Sequence, residues 1–427
     1  MSVATLYRLH ELAFRTQYAE LKERTLGAGP LLPGTPGSLQ QRTGTGYAYW
    51  YRVYYPVPGK QAETLIGPAD DLVALDAMRE RMDFAEWSSK QVSALRKLGF
   101  QVADKSVARV LVELHNLGAF EAGLTLVGTL AYMAWLNEFG LIAVSARTQD
   151  IDLARRQRLK LAAPLHFLKA MQATGLPFAA VPGLPSHAPS TSVKLPGVQG
   201  LRVDLLAPGE PIGRILALPE LDWAAQAVPH YDYLLDNPEP GALLAGGHCI
   251  PVRLPQPARF VWHKFYASTR RSGFPEKAAK DRQQALILAA ALNEHDPSAL
   301  RDAWQAAPAA IREAICPLRE QLLAALSANA FGAAIGAALG GPLCDRFGRK
   351  AIYTYDLLVY MAGVLLAAFA MNFTMLLAAF VITGIAVGAG VPASWTYIAE
   401  QAPSNERAKH VGTAQLAWSV GPFIGFA

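Results

Sequence analysis

The stretch ARTQDIDLARR, residues 146–156, sets two aspartates, Asp150 and Asp152, either side of an isoleucine; Arg155, Arg156, Arg158 and Lys160 follow at once. In a strand, residues i and i+2 face the same way. The two carboxylates therefore project together. Like charges this close repel, and burying them uncompensated is costly. A divalent cation resolves the conflict, because Mg²⁺ takes hard oxygen ligands and shares them with phosphate oxygens. A bare Asp-x-Asp also suits a strand end that merely caps a loop, so its neighbours decide between the two.

Upstream, LTLVGTLAYMAWLNEFG (residues 124–140) reads as a short apolar strand that meets Gly128-Thr129 and becomes a helix. Its apolar run of about a dozen residues is too short to cross a bilayer. Downstream, GLRVDLLAP (residues 200–208) reads as a further strand with one acid, Asp204. FVWHKFYAS and EKAAKDRQQALILAAAL place helices over residues 257–268 and 275–293. Toward the N-terminus, apolar spacing predicts a helix over residues 4–25. A Gly/Pro-rich loop follows, then GYAYWYRVYYPVPGKQAETLIGP (residues 46–68), which reads as a β-hairpin about a Pro-Gly turn. Its aromatic residues suit either base stacking or packing on their own domain. Helices are expected over residues 69–98 and 106–117.

The order Gly-Thr turn, DID strand, later lone Asp resembles the DNA polymerase β-like nucleotidyltransferase fold. It is closest to the nucleotidyltransferase-like proteins related to abortive-infection toxins of toxin–antitoxin systems. LVGTLAYMAW matches that family's Gly-containing turn, TQDIDLA its paired-aspartate strand and RVDLL its third-carboxylate strand. Lys264, and Lys280 with Asp281, match a later lysine and a Lys/Arg-Asp pair. The turn is usually Gly-Gly or Gly-Ser in that family, and the residues after Asp281 also depart from it. The resemblance implies an α+β fold with a small mixed sheet. It implies that Asp150, Asp152 and Asp204 are catalytic and hold Mg²⁺, two ions, with Asp204 helping to deprotonate the acceptor hydroxyl. Gly128, Thr129 and Lys264 would bind the triphosphate of an NTP substrate. The acceptor is left open between RNA, protein and a small molecule. Arg155 and Arg156 suit phosphate contact or an exposed basic face. His263 reads as a packing histidine, and His166, His230 and His248 share no metal-ligand spacing.

The chain has 427 residues, 17% of them charged, against 39 Lys+Arg and 34 Asp+Glu in all. The charge deficit lies at the C-terminal end. After residue 320 the only Lys or Arg are Arg346, Arg349, Lys350, Arg407 and Lys409, and the only acids Asp345, Asp356, Glu400 and Glu406. Residues 321–343, 351–371 and 373–398 each meet the ~20-residue length of a membrane span, and a fourth begins at 411. Between the first two lies GGPLCDRFGRK (residues 340–350). This resembles the signature loop between the second and third helices of the major facilitator superfamily, with Gly341, Asp345, Arg346, Gly348, Arg349 and Lys350 as its residues. Residues 384–412 resemble the fourth helix and following loop of the sugar-porter branch.

Three domains are expected: 1–100, a helical and hairpin region; 101–317, nucleotidyltransferase-like; 321–427, an all-α transmembrane part of three to four helices that contacts the lipid bilayer. The expected protein is membrane-associated, with its N-terminal domain in the cytoplasm. The alternative is a transporter fragment carrying a catalytically inactive nucleotide-binding domain. Transporters of this type bind substrate between two halves, so the fragment is expected to transport nothing alone. Topology poses a conflict: basic loops facing the cytoplasm would put residue 320 outside, whereas the preceding chemistry needs cytoplasmic nucleotides. The three cysteines, Cys249, Cys316 and Cys344, are widely spaced and suggest neither disulfide nor zinc.

Overall fold

The computed structural model describes residues 7–44, 46–57, 59–143, 148–183, 185, 187–271, 273–370 and 373–401. It divides into two compact units, Met1–Arg312 and Glu313–Ala427.

The first unit is α+β, built on a seven-stranded mixed sheet. Its main path runs Ile215–Leu218, Trp223–Val228, Arg202–Pro208, Asp150–Ala154, Thr125–Val127. The strands Asp150–Ala154 and Arg202–Pro208 are parallel. Ser192–Lys194 pairs antiparallel with the first residues of Arg202–Pro208. Alternation along both central strands fixes their faces. Ile151, Leu153, Val203 and Leu205 are buried, while Asp152, Arg202 and Asp204 are partly buried on the other face and Asp150 is exposed. A one-residue slip would bury the acids and expose the aliphatic residues, so the register is strongly specified.

The strand-to-helix turn lies where the sequence puts it: Thr125–Val127 leads directly into the helix Gly128–Glu138. Helices Pro257–Arg270 and Pro275–His295 each open with proline in the first turn, where its missing N–H leaves no bond unmade. The N-terminal region departs from expectation in two places. The first helix spans Leu12–Gly27, because Arg8–Leu9 pairs instead with Leu141–Ile142; residues 4–6 lie outside the described residues. The aromatic hairpin, Ala48–Val57 with Lys60–Pro68, gains a third strand, Ser38–Thr43. That strand is almost wholly exposed and carries no apolar alternation to announce it. Pro58 of the Pro-Gly turn lies outside the described residues. Buried Arg52 in this hairpin donates to the carbonyls of Pro33, Thr35 and Pro36 and stacks on Tyr54, which folds the Gly/Pro-rich loop against the sheet.

Residues from the first hundred share a core with later ones. Tyr18, Leu21, Val92, Leu95 and Phe100 pack with Ala242, Leu244 and Cys249 of the hairpin Glu239–Ala245 and His248–Leu254. The region expected as a separate domain over 1–100 is therefore joined through this core to residues of the stretch expected as the second domain over 101–317.

The second unit is helical: Ala309–Phe347, Arg349–Ala368 and Phe373–Gln401. The first of these helices begins before Glu313 and runs on through Pro317, where the composition changes. Gly332, Gly336 and Gly340 recur every four residues along it. A Cβ on them would fall 2.3 Å from the Val381 carbonyl, 2.1 Å from that of Ile385 and 2.9 Å from the Ala389 Cα. Small residues at this spacing let two helix backbones meet. Among the described residues, one helix, Arg349–Ala368, is long and apolar enough to cross a membrane, and Thr374–Gly390 is a shorter apolar helix. The expected span 321–343 is part of the 39-residue helix. The expected fourth span, the loop holding Arg407 and Lys409, and Asn372 lie outside the described residues. The signature segment is also no loop. Gly341, Asp345 and Arg346 belong to the last turns of one helix, and Arg349 and Lys350 open the next. Gly348 alone makes the turn, at φ 85°, a value that favours glycine.

One side chain ties three elements of the first unit. Glu138, at the end of the helix Gly128–Glu138, accepts from the Tyr18 hydroxyl at 3.0 Å, the Ala242 amide at 3.0 Å and the Lys22 ammonium at 2.6 Å. Removing it would leave the Ala242 amide without its acceptor, a penalty of about 1–3 kcal/mol, and leave the Tyr18 hydroxyl only its longer bond to the Ala242 carbonyl at 3.4 Å. Glu138→Ala is therefore expected to lower the unfolding midpoint of the first unit markedly. Glu138→Gln, which keeps one acceptor, should lose less. Chemical denaturation followed by tryptophan fluorescence checks both, and equal losses would contradict this account.

Candidate functional site

The site forms where the strands Asp150–Ala154 and Arg202–Pro208 lie side by side. Their register pairs Asp204 with Asp152 and Arg202 with Asp150, so all four side chains rise from one face. Ser192 joins them from the neighbouring strand, opposite Asp204. On the other side Val127 pairs with Asp152, which brings the following turn against the acids.

Gly128 explains why that turn needs glycine. Its φ is 69°, and a Cβ built there would fall 1.9 Å from Asp152 Oδ2. The residue must therefore lack a side chain both for its backbone angle and for the carboxylate it faces. Thr129 follows it in the first turn of the helix and is buried. Gly128→Ala should displace Asp152 or the turn. A drop of at least ~2 kcal/mol in stability is expected, since left-handed strain and overpacking each contribute about 1–3 kcal/mol. Urea unfolding of the variant measures it, and a loss within 0.5 kcal/mol, the usual range for a neutral surface change, would refute the contact.

The charges at the site are unequally served. Burial pushes the Asp152 carboxyl up to about 6, and the Asp204 and Asp150 carboxylates push it the same way; Lys264 and Arg271 oppose them. Asp204 is better compensated. Its Oδ1 accepts from Arg202 Nε at 2.7 Å and from the Ser192 hydroxyl, and Arg202 Nη2 reaches Ser192 Oγ at 2.8 Å. Arg202 stands two positions before Asp204, the same period that makes Asp150 and Asp152 neighbours. It was findable by the rule that found the aspartates.

Behind the acids lies a second charged layer, on the helices Pro257–Arg270 and Pro275–His295. Lys264 Nζ donates to Asp281 Oδ1 at 2.7 Å, and both residues are buried. Arg271 Nη1 approaches the other oxygen of Asp281 at 3.0 Å. The Lys264 ammonium is thus already matched by a carboxylate. Burial lowers its pKa, while Asp281 acts to raise it. Burial lowers the Lys280 pKa, while Asp281 first and then Asp150 and Asp152 favour its charged form. Tyr231 is buried beside Asp152, and its phenol pKa is raised by burial first and then by that carboxylate. His263 packs edge-on to Tyr231 at 5.1 Å. Burial, then Lys264 and His230, press its imidazole down to about 4, so it is neutral at ordinary pH. Tyr231 and Arg271 carried no signal in the sequence, because helix packing rather than spacing brings them here.

The arginines after the DID strand point to other partners. Arg155 Nε lies 3.2 Å from Glu220 Oε1, and Arg156 pairs with Asp236 and, at 3.9 Å, Asp232. They belong to the opposite end of the strand from Asp150.

Chemically, Asp150 and Asp152 offer hard anionic oxygens whose mutual repulsion a divalent cation would relieve. They fit such an ion as a pair. Asp204 is held by Arg202 and Ser192, and among the described residues no three Asp, Glu, His or Cys side chains surround a common metal position.

A pH effect follows from Asp152. Its ordinary pKa of 3.8 is raised in the fold, so the folded state holds its proton more tightly than the unfolded chain does. The resulting penalty is absent below pH 3.8, grows toward pH 6 and is full above it. With divalent cations chelated, Asp152→Asn should therefore stabilise the first unit at pH 7–8 by roughly 2–3 kcal/mol, on the scale of 1.36 kcal/mol per pKa unit. The gain should fade below pH 4. Thermal melts across that pH range test it, and a gain that persists at pH 3.5 would contradict the assignment.

Comparison with known proteins divides the chain in two. Residues 105–308 match a family model described as Nucleotidyltransferase, and residues 264–427 match one described as Sugar (and other) transporter. The two matches share residues 264–308. The chain is 55% identical over 103 residues to the minor myo-inositol transporter IolF of Bacillus subtilis, covering 24% of each chain. It is 35% identical over 96 residues to the niacin transporter NiaP of Acinetobacter baylyi, covering 22% of each. It is 37% identical over 101 residues to the arabinose-proton symporter of Escherichia coli K12, covering 24% of this chain and 21% of the relative. The chain thus spans about a quarter of the length of these transporters. No solved structure matches it.

Proposed function

We propose that the first unit transfers a nucleotidyl group from an NTP to an acceptor hydroxyl, using the carboxylates of Asp150, Asp152 and Asp204. The observation that carries this reading is the opposition of Asp152 and Asp204 across two parallel strands, with the Asp152 carboxylate against a turn that only glycine fits. The nucleotidyltransferase match over residues 105–308 covers the whole of this arrangement.

Asp150 and Asp152 would hold Mg²⁺, which supplies charge neutralisation for the triphosphate and the departing pyrophosphate. Gly128 and Thr129, at a helix N-terminus, would offer backbone amides to a phosphate. Asp204, oriented by Arg202 and Ser192, would take the acceptor proton. Lys264 would act through Asp281 and Arg271, as part of a buried cationic wall rather than as a free ammonium on the phosphates. The acceptor hydroxyl would belong to RNA, a protein or a small molecule. The second unit, with its transporter relatives, would hold the chain at a membrane through the helix Arg349–Ala368, with the first unit in the cytoplasm. The alternative, a transporter-derived protein whose first unit only binds nucleotide, draws on the single-face ion pair of Asp204 with Arg202, which already occupies the third carboxylate.

The test is label transfer. The full chain in detergent, with Mg²⁺, each α-labelled NTP and bulk RNA or protein, should label an acceptor. Asp152→Asn should reduce the rate by at least ~10²-fold, the scale of a lost general-base or charge-stabilising group. The rate should also fall as pH drops through about 6, where Asp152 becomes protonated. NTP binding without transfer, unchanged in Asp152→Asn, would favour the alternative.

A further inference from the structure

The bases that follow the DID strand border a cleft of their own. Its volume is about 320 Å³, and Arg156, Arg158, Lys160 and Arg253 line it, with Glu121 as its acid. The strand Asp150–Ala154 separates it from the aspartates. Its end residue Ala154 pairs with Thr125, on the cleft wall, whereas Asp152 pairs with Val127 at the Gly128 turn.

The four cations are not equivalent. Arg156 is committed to Asp236 and Asp232, and Asp236 also holds Arg259 at 2.8 Å. Arg158 and Lys160 are exposed, and no ion pair is found for either among the described residues. The Lys160 backbone is anchored by its amide to the Ala122 carbonyl at 3.0 Å, which fixes that chain segment at the cleft. Arg253 is half-buried. One of its Nη atoms donates to the Pro238 carbonyl at 3.1 Å, while its Nε is buried with no hydrogen bond. Three cations facing one acid leave the cleft with an excess of positive charge and several unused donors. Asn237 and Thr125 add polar groups to the wall.

We infer that this cleft is a second anion site, for a small ligand carrying two or more linked phosphates. Two guanidinium groups and an ammonium suit the several oxygens of a pyrophosphate better than a single carboxylate. Its volume of about 320 Å³ suits a compact ligand rather than a membrane surface or an extended strand. The site is independent of the aspartates, because it uses cations and no metal.

Titration of the full chain in detergent with inorganic pyrophosphate, in excess EDTA, tests this directly. EDTA removes any route through Asp150 and Asp152. Saturable binding is expected. It should weaken by about tenfold or more in Arg158→Gln/Lys160→Gln, the loss of a charge-assisted contact, and be unchanged in Asp152→Asn. Circular dichroism of the double variant, whose changed residues are exposed, confirms its fold. Binding that is unchanged in the double variant, or lost in Asp152→Asn, would overturn the site. So would a cleft that ignores pyrophosphate yet binds an RNA oligonucleotide or vesicles of anionic lipid through the same two residues. Failure of the label-transfer assay leaves this result untouched, since no catalysis is involved.

Discussion

The repulsion among three carboxylates on one sheet face is the constraint around which the first unit is arranged. Parallel register sets Asp152 beside Asp204, and the strand period adds Asp150. Neighbouring structure relieves this charge unevenly. Asp204 receives a guanidinium and a hydroxyl from its own corner of the sheet, whereas Asp152 is left with a raised pKa and a glycine turn pressed against it. A fold selected for stability alone has no reason to keep such an acid. Uncompensated charge of this kind is the usual mark of a site that acquires a counter-ion from its ligand.

Much of this was legible in the sequence because it depends on short spacings. Asp150 and Asp152 share a face by the period of a strand, and Gly128 stands where an apolar strand becomes a helix. The turn at Gly348 was likewise marked by its residue, although the surrounding segment is helix rather than loop. What the sequence withheld depends on contacts between distant elements. Asp281 neutralises Lys264 from a different helix, and Tyr231 reaches Asp152 from a short turn. The strand Ser38–Thr43 was hidden for another reason: it is exposed on both faces and so has no hydrophobic period. The N-terminal helix was placed too early because pairing of Arg8–Leu9 with Leu141–Ile142 outranked local spacing.

The two units follow different rules of cohesion. In the first, apolar residues gather beneath a sheet and polar groups meet in specific bonds. In the second, helix backbones approach through Gly332, Gly336 and Gly340, where no side chain intervenes. The second style belongs to an apolar solvent, in which burying hydrocarbon gains little and close backbone packing gains more. Relatives of this part of the chain are named as transporters, and the chain spans about a quarter of their length. Their solute specificities therefore say little about the site at Asp152.

The helix Gly128–Glu138 is pinned at both tips. One tip abuts the Asp152 carboxylate, and the other is locked by Tyr18, Lys22 and the backbone of Ala242. Eleven residues make a rod of about 16 Å. A strut held this way has no slack along its axis. Any incoming group that pushes on the glycine end must compress the far anchorage or move the whole rod. Accommodation of a ligand is thereby directed to side chains carried on other elements, such as Arg202 on its strand and Lys264 on its helix.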